Sequence, residues 1–394
     1  MSKATIGVFF GGRSPEHDVS IITGQLIISE LKKLNYEVVP IYLSKSGAWH
    51  LGEELGVLKF FHNLDENKEE LKKYSQYYLD LEDSNGKIKF RSKGIFKKKI
   101  EIDLAFPAFH GPNGEDGTIQ GVWEIFNIPY VGCGVASSAI SMDKIFNKLF
   151  YQAYGIPTTD FVHFTSHEWK ENKKKILQEC QENLAWPVFV KPAQLGSSIG
   201  MTCVKEKSEL ENAIEVAAHY DNKILVEVAV NSLADITCAV LGNEKPQASL
   251  LQESVFESDH FSYEDKYLKD GGAQLGNAED NLKIPARLDS DTTKRIQEMS
   301  KDIYTKLGCA GTARIDFLYN RESRQVFANE INPLPGTLYH HLWKKSGVEI
   351  GEVCEQLIQF AIQKHKEKNN INYDFRSEIL NNANSIKLQL DKKE

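Results

Sequence analysis

Apolar residues recur with two different periods along the chain, and the switches between them mark the elements. The run TIGVFFG near the N-terminus carries no charge and predicts a buried strand. A turn, Gly11-Gly12-Arg13-Ser14, follows it. Val19, Ile22, Ile27 and Leu31 then recur at helical spacing, so a helix is expected from about Pro15 to Leu34. The next run, YEVVPIYLS, reads as another strand. Strand–helix–strand of this length is a βαβ unit, which predicts a parallel sheet. Residues 51–100 are charged and less regular, and are expected to elaborate the surface rather than add core. The strand DLAFPAF (103–109) then leads into a glycine-bearing loop from His110 to Gly117.

A second unit is expected from near residue 140. Its helices lie around 141–155 and 207–219, and its strands are WPVFVKP (186–192) and KILVEVAV (223–230). A third unit, from about 236, holds the strand ITCAVLG, an irregular polar region 253–281, a helix 289–307, and the strands TARIDFLY and QVFANEIN. The tail after about 366 is rich in Lys, Asn and Asp, with little apolar periodicity. The pattern divides the chain at 1–135, 136–235, 236–366 and 367–394, with no internal repeat.

Bulk properties narrow the function classes. With 394 residues there is material for two or three domains, and 41% apolar with 26% charged residues is a soluble, globular balance. No apolar stretch approaches the roughly 20 residues of a membrane span, and the N-terminus lacks a secretory signal. A cytoplasmic location is expected. The net charge of −8 opposes a nucleic-acid partner. The six cysteines (133, 180, 203, 238, 309, 354) form no CxxC pair, so reduced thiols fit better than disulfides or zinc.

Three regions carry candidate chemistry. Glu330 and Asn332 lie two apart in one strand and share a face, and Asp316 on a neighbouring strand can reach the same point. Two carboxylates and a carboxamide are hard oxygen ligands suited to Mg²⁺ shared with phosphates. Taken alone, the same residues also fit a solvated hairpin face. Gly196-Ser197-Ser198-Ile199-Gly200 follows a strand ending in Lys191, and small residues let backbone N–H groups approach phosphate oxygens. No Walker A or GxGxxG pattern is present. Glu16 and the loop from His110 to Thr118 follow strands of the parallel sheet, where small ligands bind in such folds. Glu16 could equally complement a helix dipole.

The segments GGRSPEHDVS, HGPNGEDGTIQG, PYVGCGVASSAISMDK, VKPAQLGSSIGM, YEDKYL, ARIDF and ANEINPLPG stand in the order seen in D-alanine–D-alanine ligases. The resemblance covers roughly residues 5–45 and 103–360. It implies an α/β and α+β multidomain protein, an N-terminal open parallel sheet (pre-ATP-grasp) followed by a two-part ATP-grasp fold. It further implies ligation of two D-alanines through a D-alanyl phosphate, supplying peptidoglycan precursors.

On that resemblance, Lys144, Lys191 and Ser198 would serve the nucleotide phosphates of ATP. Glu227 would lie at the adenine–ribose edge, and Asp235 stands nearest to the family's ribose-binding Glu. Asp316, Glu330 and Asn332 would ligate two Mg²⁺ ions, with Mn²⁺ as a substitute. Glu16 would pair with the first substrate's ammonium, linked to Ser197 and Tyr267, while His110 and Glu115 order the pocket. Lys266 would reach the γ-phosphate from a lid at 253–281, which contains Gly271, Gly272 and Gly276. Arg314 and the Gly336 N–H would stabilise the tetrahedral oxyanion, an effect worth roughly 3–4 kcal/mol per donor. Pairing of two copies through the N-terminal domain is a further family trait.

The chain departs from the family pattern at His341, which stands where a serine usually binds the second substrate's carboxylate. A protonated imidazole could do this with pH dependence, or His341 could read another acceptor, or stack without touching substrate. Tyr267 favours an amine over a hydroxyl nucleophile, because relatives making D-alanyl-D-lactate generally lack this tyrosine. The lid is also longer than usual before Ile284-Pro285-Ala286. Three readings follow: a D-alanine–D-alanine ligase, a ligase of the same mechanism with another acceptor, and a regulator that has lost catalysis.

Overall fold

The computed structural model describes residues 4–62, 71–74, 77–92, 99–196, 198–255, 282–372, 377 and 379. The chain begins with β1 (Thr5–Gly11), α1 (His17–Lys33), β2 (Glu37–Leu43) and β3 (Trp49–Leu51). Three short strands follow, β4 (Tyr77–Leu79), β5 (Ile88–Ser92) and β6 (Lys99–Ile102), then β7 (Leu104–Pro107). The first sheet runs β3-β2-β1-β7, with β1 parallel to both β2 and β7 and β3 antiparallel at the edge. Six of the seven β1 residues are buried, as an uncharged run between two strands requires. The expected helix start at Pro15 shifts to His17. Glu16 takes the cap position, but its side chain makes no capping hydrogen bond.

Residues 51–100 are not mere surface elaboration. Strands β4, β5 and β6 form an antiparallel sheet whose Ile88, Phe90 and Ile102 are buried in one cluster with Phe9, Ile41 and Trp123. The alternation in β5 puts Ile88 and Phe90 on one face and leaves Lys89 and Arg91 on the other. With only two or three apolar positions per strand, the charged face hid the buried one.

The middle of the chain holds α2 (Thr118–Ile125), α3 (Val135–Met142), α4 (Lys144–Ala153), β8 (Phe161–Thr165), α5 (Ser166–Asn183), β9 (Val188–Pro192), β10 (Thr202–Val204), α6 (Leu210–Tyr220) and β11 (Lys223–Val228). Its sheet runs β10-β9-β11-β8, antiparallel throughout. The helix expected around 141–155 is broken at Asp143. That residue is extended, and its carboxylate accepts from the N–H groups of Ile145 (3.0 Å) and Phe146 (3.1 Å). An aspartate at an N-cap outcompetes helix continuation because it satisfies donors a helix start leaves free.

The last part holds β12 (Leu233–Gly242), β13 (Gln247–Ser254), β14 (Leu282–Lys283), α7 (Ser290–Lys306), β15 (Gly311–Asn320), β16 (Val326–Asn332), α8 (His340–Lys345) and α9 (Ile350–Asn369). The sheet runs β14-β13-β12-β15-β16, again antiparallel. The polar region expected from 253 begins later than that. Glu253 and Ser254 complete β13, and Glu253 is buried between Arg287 and Arg321. The rest of the expected lid, residues 256–281, lies outside the described residues, with Lys266 and Tyr267 in it. Helix α9 runs past residue 366 to Asn369.

One core joins the ends of the chain. Ile6, Ile27 and Phe106 pack in the same cluster as Leu338, Trp343 and Leu357. A fully buried Leu or Ile contributes about 1.5–3 kcal/mol, so the first and last sheets hold each other in place. Among the described residues no helix is long and apolar enough to cross a membrane.

Candidate active site

The loops leaving the carboxyl ends of β1 and β7 meet the end of β16 across an open cleft of about 640 Å³. Glu16, His110 and Glu115 line it from the N-terminal sheet, and Lys144 from the start of α4. Arg314, Glu330, Asn332 and Gly336 line it from the C-terminal sheet. Residues more than 300 positions apart thus share one space, as the motifs require.

Two glycines let the loops close on Glu16. A Cβ at Gly111, whose φ is +76°, would sit 3.0 Å from Glu16 Oε2. One at Gly196 would sit 3.1 Å from the same oxygen. The phosphate-loop candidate therefore abuts the carboxylate of Glu16. Ser197 itself lies outside the described residues; Ser198 adopts a left-handed φ of 59° in the turn, where Met201 N–H donates to its carbonyl at 3.3 Å.

Burial sets the protonation of the pocket's titratable groups. Glu115 is pushed up to about 8, first by burial and then by neighbouring Glu16, against the Gly111 N–H that donates to its Oε2 at 2.6 Å. It is protonated at neutral pH. Burial pushes His110 down to about 4, so its imidazole is neutral. Its Nε2 lies 2.9 Å from the hydroxyl of buried Thr23.

The oxygen set on the C-terminal sheet follows from strand register. Asp316 pairs with Glu330 across β15 and β16, and Arg314 pairs with Asn332, so four polar side chains meet at one corner. Arg314 donates to Asp316 Oδ2 through Nε at 3.0 Å and an Nη at 2.7 Å, and stands 3.7 Å from Glu330. Asn332 Nδ2 donates to the same Asp316 oxygen at 3.3 Å, and Thr237 donates to the other at 2.8 Å. Burial raises Asp316 above the usual carboxylate range; Arg314 opposes this, and the like charge of Glu330 adds to it. Two crowded carboxylates and an amide oxygen suit a hard divalent cation, and Lys144 Nζ reaches Glu330 at 3.6 Å from the side.

A second charged cluster lies in the central sheet. Glu227, 1% exposed, is bracketed by Lys191 from β9 and Lys148 from α4, the latter at 2.6 Å. Burial would raise this carboxyl, but Lys148 and Lys191 outweigh it and hold it well below its ordinary range. Lys148 also donates to both the hydroxyl of Thr159 (2.7 Å) and that of Thr158 (3.0 Å). The sequence reading missed Lys148. Its spacing of four from Lys144, on the same helical face inside an apolar stretch, was the available signal. Lys144 Nζ donates to the Leu195 carbonyl at 2.7 Å, and its own N–H donates to the Ala193 carbonyl at 2.9 Å, tying α4 to the phosphate-loop candidate.

Two expected residues stand elsewhere. Asp235 lies on β12 opposite Leu318, and its charge bears on Tyr339. His341 lies in the first turn of α8, where its Nε2 meets Gln252 Oε1 at 2.6 Å and its ring lies 4.9 Å from that of Tyr339. Burial, with help from His340 and Arg314, pushes His341 down to about 4. Of its three readings, the protonated carboxylate binder is the one this shift opposes.

Comparison with known proteins matches this arrangement from end to end. The family model for the D-ala D-ala ligase N-terminus matches residues 5–133, and that for the D-ala D-ala ligase C-terminus matches residues 150–359. The D-alanine–D-alanine ligase of Thermosipho melanesiensis is 39% identical over 369 residues, covering 94% of this chain and 96% of its own. Among solved structures, the D-alanine–D-alanine ligase of Coxiella burnetii is similar with a TM-score of 0.77, at 30% identity over 94% of this chain and 97% of its own. The D-Ala:D-Ser ligase VanG of Enterococcus faecalis is similar with a TM-score of 0.74, at 31% identity over 92% of this chain and 100% of its own. With the cleft, its charged walls and both family models falling on the same residues, this chain belongs to the D-alanine–D-alanine ligase family.

Proposed function

We propose that this chain joins two D-alanines in an ATP-dependent, ADP-forming reaction that passes through D-alanyl phosphate and supplies a peptidoglycan precursor in the cytoplasm. The observation that carries the reading is the meeting of Glu16 with Arg314, Glu330, Asn332 and Gly336 around one cleft. Burial pushes Glu115 up to about 8 and His110 down to about 4, and Glu16 beside them is the carboxyl group that would meet the first substrate's ammonium. The substrate's carboxylate oxygen attacks the γ-phosphorus of ATP, and ADP leaves. Lys144 and Lys191 lower the repulsion between these anions. The amine of the second D-alanine then attacks the acyl carbon, the tetrahedral oxyanion collapses and inorganic phosphate departs. Arg314 and the Gly336 N–H stabilise that oxyanion.

Asp316, Glu330 and Asn332 are the residues that would hold Mg²⁺, and two hard carboxylates with an amide oxygen fit it. When bound, the ion would offset phosphate charge and polarise the phosphoryl group. The domain division proposed is 1–135 for the first substrate, 136–235 and 236–366 for the nucleotide, and 367–394 as a tail. Pairing of two copies through the first domain belongs to the same proposal.

The test is ADP release from ATP and Mg²⁺, with and without D-alanine, and the mass of the product. ADP formation that depends on D-alanine, with a product of dialanine mass, is expected; ADP release that ignores D-alanine would overturn the reading. A second reading, a different acceptor, rests on His341, which aligns in the motif with the family's serine and is held at 2.6 Å by Gln252 Oε1. Supplying D-serine or D-lactate singly with D-alanine, and weighing the products, separates the two.

A further inference from the structure

After Gly336 the backbone turns left-handed for three successive side-chain-bearing residues. Thr337, Leu338 and Tyr339 have φ of 48°, 55° and 51°. Such a run is unfavourable for L-residues, and it persists only where the surroundings hold it. The holding groups come from the other end of the chain. Thr337 N–H donates to Thr23 Oγ1 at 3.1 Å, and Thr23 Oγ1 lies 2.9 Å from His110 Nε2. On the other side of Gly336, Leu334 lines the same cleft as His110 and Glu115. Both sides of Gly336 thereby adjoin the pocket for the first amino acid.

The Thr23 hydroxyl accepts from Thr337 N–H and, having one proton and two lone pairs, either donates to His110 Nε2 or accepts from it. In both cases a single buried hydroxyl joins the strained turn to the first-substrate pocket.

We propose that Thr23 is a positioning residue. Through its bonds to His110 and Thr337, it holds the strained turn so that the Gly336 N–H faces the oxyanion, coupling that turn to the first-substrate pocket. This rests on the ligase reading above and adds a residue to it. Thr23 is 1% exposed and is not among the residues lining the cleft, so its effect is on placement.

The experiment pairs Thr23→Val, which keeps the shape and removes the hydroxyl, with Thr23→Ser, which restores it. In steady-state assays Thr23→Val should lower kcat on the order of 10²-fold, the scale of a small misplacement of a catalytic group, while KM for ATP stays put. Thr23→Ser should recover most of kcat. Unchanged kcat in Thr23→Val, or kcat and ATP affinity falling together with no recovery in Thr23→Ser, would overturn the proposal. Independently, ¹⁵N-histidine spectra of the unaltered chain and of Thr23→Val, assigned by the signal lost in His110→Gln, should show the His110 Nε2 signal shifted when the hydroxyl is removed. An identical His110 signal in the two chains would overturn the proposal. Absence of D-alanine-dependent ADP formation in the unaltered chain would sink the parent reading instead. The His110 shift, read without turnover, still decides the hydrogen-bond chain in that case.

Discussion

The central and C-terminal sheets each carry a buried ionic cluster, yet the two differ in what surrounds the carboxylates. Glu227 on β11 is bracketed by two ammonium groups, Lys191 from β9 and Lys148 from α4, so positive charge is in excess. At the corner of β15 and β16 two carboxylates, Asp316 and Glu330, face the guanidinium of Arg314 and, from the side, Lys144, with an amide beside them, so the charges balance while oxygen ligands gather. Burying unbalanced charge is costly, and the excess around Glu227 suits an anion such as a nucleotide phosphate. The second cluster suits a divalent cation through its hard oxygen donors. The lesson is that the kind and number of groups gathered, rather than burial alone, choose the ligand.

The comparison is broken most severely by removing charge from the oxygen-rich corner. Glu330→Gln keeps the shape but leaves Asp316 as the lone carboxylate, and kcat should fall by about two orders of magnitude or more. Rates equal to the unaltered chain in saturating Mg²⁺ would refute the metal role. Next in size is the cation-rich cluster. Lys148→Met leaves Glu227 with Lys191 as its remaining ammonium, so Lys191 becomes fixed as a counter-ion. KM for ATP should rise about tenfold, and stability should fall by about 3–5 kcal/mol, the usual result of breaking a buried pair. Urea titration and initial rates check both; an unchanged KM would show that Lys191 is not shared with the nucleotide.

The smallest effect sharpens the boundary of the oxygen-rich corner at His341. If this residue stands in for the family serine, His341→Ser should lower KM for the second D-alanine, and an unchanged constant would place it outside that subsite. The ring also has a pH signature. Its folded value near 4 lies below the ordinary 6.5, so the unfolded chain takes up a proton first as pH falls. The neutral ring's contribution is complete above 6.5 and is lost as pH drops from 6.5 toward 4. The fall in Tm across that window should be smaller in His341→Ser, and an equal fall would assign the acid sensitivity to other groups.

Much of this was legible in the chain itself. β1 showed as an uncharged run because both faces of a central parallel strand are buried. The corner of Asp316, Glu330 and Asn332 showed because residues two apart on a strand share a face. Other features had weak local signatures. Lys148 passed unnoticed, since its partner Glu227 is 79 positions away and its spacing from Lys144 was a slight hint. Residues 77–102 looked like surface because their strands are short and half charged. The break at Asp143 depended on a capping choice that an otherwise continuous helical period conceals.

Periodicity and residue type were enough to read the βαβ start, the main strands of the later sheets, the ligase family and most of the cleft's chemistry, because these depend on near neighbours and on motif spacing. Only the tertiary structure decided which charges are paired and which groups burial moves from their ordinary titration. Those properties come from burial and from contacts between residues far apart in sequence. The strained turn after Gly336 is the plainest case. Its shape is set by Thr23, more than three hundred residues earlier, through hydrogen bonds that form only when the first and last sheets share a core.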